Sequence, residues 1–355
     1  MATLPSSLKY DCKGLPVLQN TKLGYILSGK MHQSYVKKYK KQCHSLFVQT
    51  DSIHHMTERF WSIEEMNNKV LTKEEKACKE HFKLQTRRLE TGRYEVRLPL
   101  SDSVEKLGES YDTARAKFLA LEQRLIKQPP LKQDYSAFLE EYVQLGHMTP
   151  LGEAKEKKKV PHFYMPCHGV AKDTSSTTKL RVVFNGSEKG SNGISLNDIL
   201  MIGPKVQDDL LDIVLRFRLY RIVMSADIAK VYRQIWVHPD NKSLQRILWR
   251  KTPNQPITTY ELNTVTYGMA SAPFLATRCL QQLIEDETVN YPEAAKLAKD
   301  GFYVDDLITG TEDVDTALSI QQDLIEMLSK GGFTLRKWSS NHPALLQHLA
   351  PEDVE

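Results

Sequence analysis

Apolar and polar positions follow three rhythms along the chain. Over the first thirty residues the apolar patch Leu23-Gly-Tyr-Ile-Leu27 is closed by Ser28-Gly29, and the segment reads as irregular or β-rich. From about 60 to 150 the apolar positions recur at helical spacing. Ser62-Ile-Glu-Glu65 and Thr72-Lys-Glu-Glu75 both fit the capping box that opens a helix. The spacing predicts a helix over Asp112–Lys127, with Phe118, Leu121, Leu125 and Ile126 on one face and a stop before Pro129-Pro130. A further helix is predicted over Tyr135–Leu145, with Phe138, Leu139 and Tyr142 inward and Gly146 as its C-terminal cap. Between the helices, Gly92–Leu100 alternates like a strand.

After the charged loop Glu153–Lys159, short strands alternate with helices. His162–Ala171 and Lys179–Asn185 read as two strands of a hairpin joined by the polar loop Lys172–Thr178. Arg221–Ala229 is a buried strand ending in an acid, and "LQRILWR" and "TTYELNTV" form another strand pair. Ala272–Glu287 is a helix with Pro273 in its first turn. "GFYVDDLITG" (Gly301–Gly310) reads as a hairpin, and Asp313–Lys330 as an amphipathic helix ended by Gly331-Gly332. "FTLRKW" is one more strand.

Composition narrows the class without naming it. The 355 residues are 41% hydrophobic and 26% charged, ordinary for a globular chain with room for two or three domains. A net charge of +4 permits an acidic partner such as nucleic acid without demanding one. The run Lys37–Lys41 reads as solvated surface, with a phosphate-binding patch as the alternative. Cys12, Cys43, Cys78, Cys167 and Cys279 form no C-x-x-C pair, so neither a zinc nor a disulfide framework is expected, and unpaired thiols fit a reducing intracellular compartment. The N-terminus lacks the apolar core of a signal peptide, and no apolar run is long enough to span a membrane. His162, Cys167 and His168 fall on different faces of an alternating strand and predict no zinc site, and His54-His55 reads as solvated.

The acids in apolar surroundings carry the candidate chemistry. Asp305 and Asp306 interrupt an otherwise strand-like decapeptide, and an ionised carboxylate is costly in a core without a partner. At the tip of a tight hairpin both could reach one open space, either as a plain polar turn or around a cation. Asp227 likewise ends an apolar strand, after the small residues Ser225-Ala226. If strand and hairpin lie side by side in one sheet, three carboxylates converge. Such a cluster suits hard divalent cations like Mg²⁺, which keep waters and are completed by substrate phosphates. Two such ions clamp the attacking and leaving oxygens of a phosphoryl displacement.

The ordered set "SADIAKVY", "VTYGMASAPF", "YVDD" and "GGFTLRKW" resembles the palm of a reverse transcriptase. The finer resemblance is to Pol polyproteins of Pao/BEL-type LTR retrotransposons, through "KLRVVFNGS", "ISLNDILMIGP", "DLLDIVLRFR", "QRILWR", "YGMASAPFLATRCL" and "LRKWSSN". Upstream, "FWSIEE", "GRYEVRLPL", "LGES" and "EEYVQLGHM" resemble the segment before the polymerase, and "LQNTKLGYILSG" the tail of the aspartic-protease region. The resemblance implies an α/β (α+β) fold of palm and fingers: an antiparallel palm sheet backed by helices, behind a mainly helical N-terminal region. The expected organisation is a protease-region tail over 1–30, a linker over 31–150, and fingers and palm over 151–355. Thumb, RNase H and integrase regions are expected to be absent.

The same resemblance implies roles. Asp227 and Asp305 hold two Mg²⁺ ions (Mn²⁺ as a substitute), with Asp306 completing the acidic site. Tyr232 blocks a ribose 2′-hydroxyl. Arg181 and a nearby lysine (Lys179, or Lys172 in the loop) grip the incoming deoxynucleoside triphosphate. Tyr267-Gly268 lies against nucleotide and template, the glycine permitting close backbone approach. Lys337 falls near a lysine proposed to protonate the pyrophosphate, an exposed lysine being the alternative, and Trp338 packs. Asn185 replaces a usual acid of the fingers strand, which would loosen the nucleotide pocket. Ala229 replaces a frequent Glu with little effect expected. The implied activity is RNA- and DNA-templated DNA synthesis on a template–primer. The alternative is a truncated remnant that binds nucleic acid without polymerising, and a protease lacks its Asp-Thr/Ser-Gly motif.

Overall fold

The computed structural model describes residues 71–153, 161–171 and 180–355, together with three strands nearer the N-terminus. The chain divides into two compact units, Met1–Lys69 and Val70–Glu355. In the first, Thr3–Leu8, Val17–Thr21 and Gly24–Ser28 form an antiparallel meander, in keeping with the β-rich reading of that stretch. The runs Lys37–Lys41, His54-His55, Ser62–Glu65 and Lys172–Thr178, with Lys179, lie outside the described residues.

The second unit opens with helix Lys73–Gln85, whose start carries the predicted box. Glu75 N–H donates to Thr72 Oγ1, and Thr72 N–H donates to the Glu75 carboxylate at 2.7 Å. Helices Tyr111–Lys127 and Pro129–Gln144 follow with a one-residue break. The prolines predicted only to end the first helix also start the second, because a first-turn proline lacks an N–H that the helix does not need. Phe118 and Leu125 are buried, but Ile126 is 44% exposed. Its position beside Leu125 turns it about 100° away from the packed stripe. Gly146 closes the second helix at φ +72°, with Gly146 N–H on the Val143 carbonyl and His147 N–H on that of Tyr142.

That ending buries His147 edge-on against Tyr142, 4% exposed and with no partner for Nδ1. Burial, then the positive charge of Arg233, Arg93 and Lys230, pushes its imidazole down to about 4, against a smaller opposite pull from Glu141. The unfolded chain therefore binds the extra proton first. Stability is full above about pH 6.5 and is lost as pH falls toward 4, by at most about 3 kcal/mol. His147→Phe is expected to flatten that limb, read from urea midpoints between pH 4 and 7.

Five short sheets carry the described strands, of which three matter for the site. Cys167–Ala171 and Leu180–Phe184 pair antiparallel as predicted, but His162–Pro166, expected in the first strand, is not part of it, and Tyr164 instead bridges Arg246. Arg246–Trp249 pairs antiparallel with Thr258–Leu262, which also receives Met148–Glu153. The largest is a four-stranded antiparallel sheet, in spatial order Phe302–Tyr303, Asp306–Thr311, Ile222–Ile228 and Leu335–Ser340. Ile222–Ile228 is central and strictly alternating, with Ile222, Met224, Ala226 and Ile228 buried. The helices Ala272–Glu287, Pro292–Gly301 and Val314–Ser329 pack together, the last two also against Asp306–Thr311. The expected antiparallel sheet backed by helices is therefore present.

Leu210–Phe217 and Pro292–Gly301 are among the helices that the periodicity does not predict. Leu210–Phe217 buries only Ile213 and exposes Leu210, Leu211 and Leu215. Pro292–Gly301 packs through Ala294, Ala295, Ala298 and Gly301, too small to write an apolar stripe. No helix among the described residues is long and apolar enough to cross a membrane.

Candidate active site

Strand pairing decides where the acids meet. Asp306 is the register partner of Asp227, so their side chains leave the same face of adjacent strands, about 5 Å apart at Cβ. Asp305 stands in the two-residue loop between the paired Tyr303 and Asp306, and its carbonyl accepts the Ile228 N–H at 2.9 Å. Burial, then repulsion from Asp227 and Asp306, raises the Asp305 carboxyl above its usual range. Burial and Asp227 raise that of Asp306 as well. Asp227 and Asp306, predicted from separate stretches, thus share one face of the sheet, with Asp305 near enough to feel the charge of both.

The partial counter-charge is Lys337, whose Nζ donates to Asp227 Oδ2 at 2.9 Å. Its delivery depends on a bulge. Arg336 pairs with Asp227 and Ser339 with Ser225, leaving one residue too many on the outer strand. Lys337 takes φ +53° within that bulge, while Trp338, 1% exposed, packs inward as expected. The hydrogen bond to Asp227 raises the Lys337 ammonium pKa.

Three non-glycine residues take positive φ among the described residues: Lys230, Val304 and Lys337. The first follows Asp227 by three positions, the second precedes Asp305, and the third touches Asp227. Left-handed backbone at such residues costs about 1–3 kcal/mol each and gathers where geometry serves a function. Here one adjoins Asp305 in sequence, one bonds Asp227, and one lies three residues beyond Asp227.

Aromatic and basic groups stand beside it. Lys230 opens the single helical turn Val231–Gln234, which carries Tyr232. That ring meets Tyr267 edge-on at 4.7 Å, and the Arg181 guanidinium lies 5.8 Å from the Tyr267 ring centre. Burial, then Asp305, raises the Tyr232 hydroxyl pKa. Gly268 has φ +92°, and a Cβ there would lie 1.9 Å from the Phe184 carbonyl oxygen. The Tyr267 turn is therefore docked on the strand that carries Arg181. Lys179 has no described placement. Asn185 makes no ion pair of its own but bonds Glu188 and the Ser187 N–H, shaping the turn after the strand.

Sequence reasoning missed the supports of this floor. Arg233 is buried between Glu141, at 2.9 Å, and the rings of Tyr142 and Phe138. Asn197 Nδ2 donates to the Gly268 carbonyl, and its Oδ1 accepts the Ala270 N–H. A buried arginine amid aromatics leaves no periodic signal, and Asn197 reads as a turn residue.

The donor set is open. No group of three His, Cys, Asp or Glu side chains among the described residues is gathered into a ready-made metal cage. Asp227 and Asp306 instead offer two hard carboxylates on one face, with the Lys337 ammonium bonded to Asp227, a set that fits Mg²⁺ completed by waters and phosphate oxygens. Lys337→Gln is expected to leave the acids unopposed. The variant should melt a few degrees lower in chelator and gain more than the parent on adding Mg²⁺, as thermal melts would read.

Residues 184–338 match the reverse transcriptase (RNA-dependent DNA polymerase) family model. The matched segment holds Asp227, Tyr232, Tyr267, Gly268, Asp305, Asp306 and Lys337, and Arg181 lies just ahead of it. No curated protein matches. Among solved structures, the protease–reverse transcriptase of prototype foamy virus (a CSH mutant) is similar at TM-score 0.44 and 14% identity, over 59% of this chain. The chain covers 24% of that structure's length.

Proposed function

We propose that this chain is a retroelement reverse transcriptase of Pao/BEL type, extending a primer 3′-hydroxyl with deoxynucleoside triphosphates on an RNA or DNA template. The observation that carries the reading is the Asp227–Asp306 register pair, with Asp305 beside it, inside the segment that matches the reverse transcriptase family. In this reading residues 1–30 derive from a protease-region tail, 31–150 form a linker, and 151–355 form fingers and palm.

Asp227, Asp305 and Asp306 would hold two divalent ions. Bound there, the ions would neutralise phosphate charge and favour attack of the 3′-oxygen on the α-phosphorus. Arg181, with Lys179, would pair with the triphosphate, a task that suits a planar guanidinium. Tyr232 would close the space beneath the sugar, so that a 2′-hydroxyl meets its ring. Tyr267, held by Gly268 and Arg181, would form the wall against the base and template. Lys337 carries a proton within reach of the acids and would give it to the pyrophosphate once freed from Asp227.

Primer extension by the purified chain on a primed RNA template, with Mg²⁺ or Mn²⁺ and deoxynucleotides, tests the proposal. Metal-dependent extension lost in an Asp305→Asn/Asp306→Asn double variant is the expected result. A folded chain that binds the template–primer yet extends nothing would instead be a nucleic-acid-binding module without polymerase activity.

A further inference from the structure

The turn that carries Asp305 has an unfavourable residue at its first position. Tyr303 and Asp306 pair across a two-residue loop in which Val304 has φ +56° and Asp305 does not share that sign. Positive φ at the first loop residue alone marks a type II′ turn, a place that glycine favours and a β-branched side chain resists. Something outside the hairpin must hold Val304 there.

That contact comes from Gln207, 97 residues away in sequence. Val304 N–H donates to Gln207 Oε1 at 2.8 Å, and Gln207 Nε2 donates to the Val304 carbonyl at 3.4 Å. One side-chain amide therefore engages both backbone groups of the strained residue. The Gln207 segment is itself anchored. Arg216 Nη2 reaches Asp208 Oδ2 at 2.5 Å and the Asp300 carbonyl at 2.7 Å, tying residue 208 to the chain just before the hairpin. The helix that supplies Arg216, Leu210–Phe217, packs on Asp306–Thr311.

We propose that Gln207 is a positioning residue that clamps Val304 in the left-handed region and thereby sets the spacing of Asp305 and Asp306 against Asp227. The purpose assigned to the clamp rests on the polymerase reading; its geometry does not. Gln207 would touch neither substrate nor metal, and would act only through the turn.

Gln207→Ala is expected to lower kcat for single-nucleotide incorporation about tenfold, while the nucleotide KM moves less than about threefold. Exchange of the Val304 amide hydrogen, followed in protein labelled with ¹⁵N-valine, should speed up at least about tenfold with the melting temperature little changed. Adding Val304→Gly should recover most of the lost kcat, since glycine adopts the turn without a clamp. A wild-type kcat in Gln207→Ala, or a folded double variant with no recovery, would overturn the proposal. Should the alanine variant not fold, Gln207→Glu keeps the acceptor for Val304 N–H and is expected to keep its protection; loss of that protection counts against the clamp. If the parent chain extends no primer, the polymerase reading fails alone. Val304 exchange still decides the clamp, with acceleration in Gln207→Ala supporting it and unchanged exchange overturning it.

Discussion

Asp305→Asn is expected to cut primer extension by about 10³-fold or more while the metal-free chain melts a few degrees higher. The two halves share one cause. Burial and the charges of Asp227 and Asp306 raise the Asp305 carboxyl pKa, so its ionised form is disfavoured in the fold relative to the unfolded chain. Asparagine is nearly isosteric and neutral, and the Asp305 carbonyl keeps its bond from Ile228 N–H. The fold therefore loses repulsion, while the turn keeps its bonds to Gln207 and Ile228. On the proposed polymerase reading activity moves the other way, because removing a carboxylate that would orient divalent ions costs several kcal/mol of transition-state stabilisation. Asp227→Asn should differ: it strands the Lys337 ammonium now bonded at 2.9 Å, so the same loss of activity comes without the gain in melting temperature. Melts in chelator and single-nucleotide incorporation measure both. Retention of activity within tenfold in Asp305→Asn would remove that side chain from the metal-holding set.

The contrast between these two aspartates follows what the sequence could and could not convey. Asp227 was legible because it ends a strand whose buried positions alternate without a break from Ile222 to Ile228, a pattern fixed by the two-residue period of a pleated strand. The Tyr-Val-Asp-Asp hairpin was legible because glycine and apolar residues frame it. Their meeting in one sheet followed from topology, and Asp306 opposite Asp227 realises it. Lys337 was named through the resemblance, but its role as counter-charge to Asp227 was not legible. Lys337 reaches Asp227 only through a one-residue bulge, and nothing in "FTLRKW" marks where the ladder slips. Val304 is harder still, since its β-branched side chain argues for ordinary strand geometry, and the amide that bonds its backbone, Gln207, lies 97 residues away. Helix Pro292–Gly301 escaped for a different reason: its buried face is alanine and glycine, which pack closely but contribute little to an apolar pattern.

Gly268→Ala is the second change expected to have a large effect, about 10²-fold in kcat/KM for the nucleotide, and it tests how the two sheets share one pocket. The argument is steric before it is chemical. At φ +92° any L side chain is strained, and the new Cβ would stand 1.9 Å from the Phe184 carbonyl oxygen, a backbone atom at the end of the Leu180–Phe184 strand. Neither side can yield alone. Phe184 is fully buried, and the turn is pinned by Asn197, which bonds the Gly268 carbonyl and the Ala270 N–H. The turn and the strand must therefore move apart. Arg181 lies three residues before Phe184 on that strand, and Tyr267 directly precedes the glycine, so the 5.8 Å contact between them opens. A displacement near 1 Å of substrate-holding groups is enough for a loss of that size. The damage should appear chiefly in nucleotide KM, with extension at saturating nucleotide less affected, because the acids lie on another sheet whose register does not involve Gly268. Steady-state incorporation over a nucleotide series, beside a thermal melt, separates this from simple unfolding. A folded Gly268→Ala chain with parental KM would mean that Arg181 and Tyr267 do not hold the triphosphate, and the basic grip on the substrate would have to come from elsewhere in the chain.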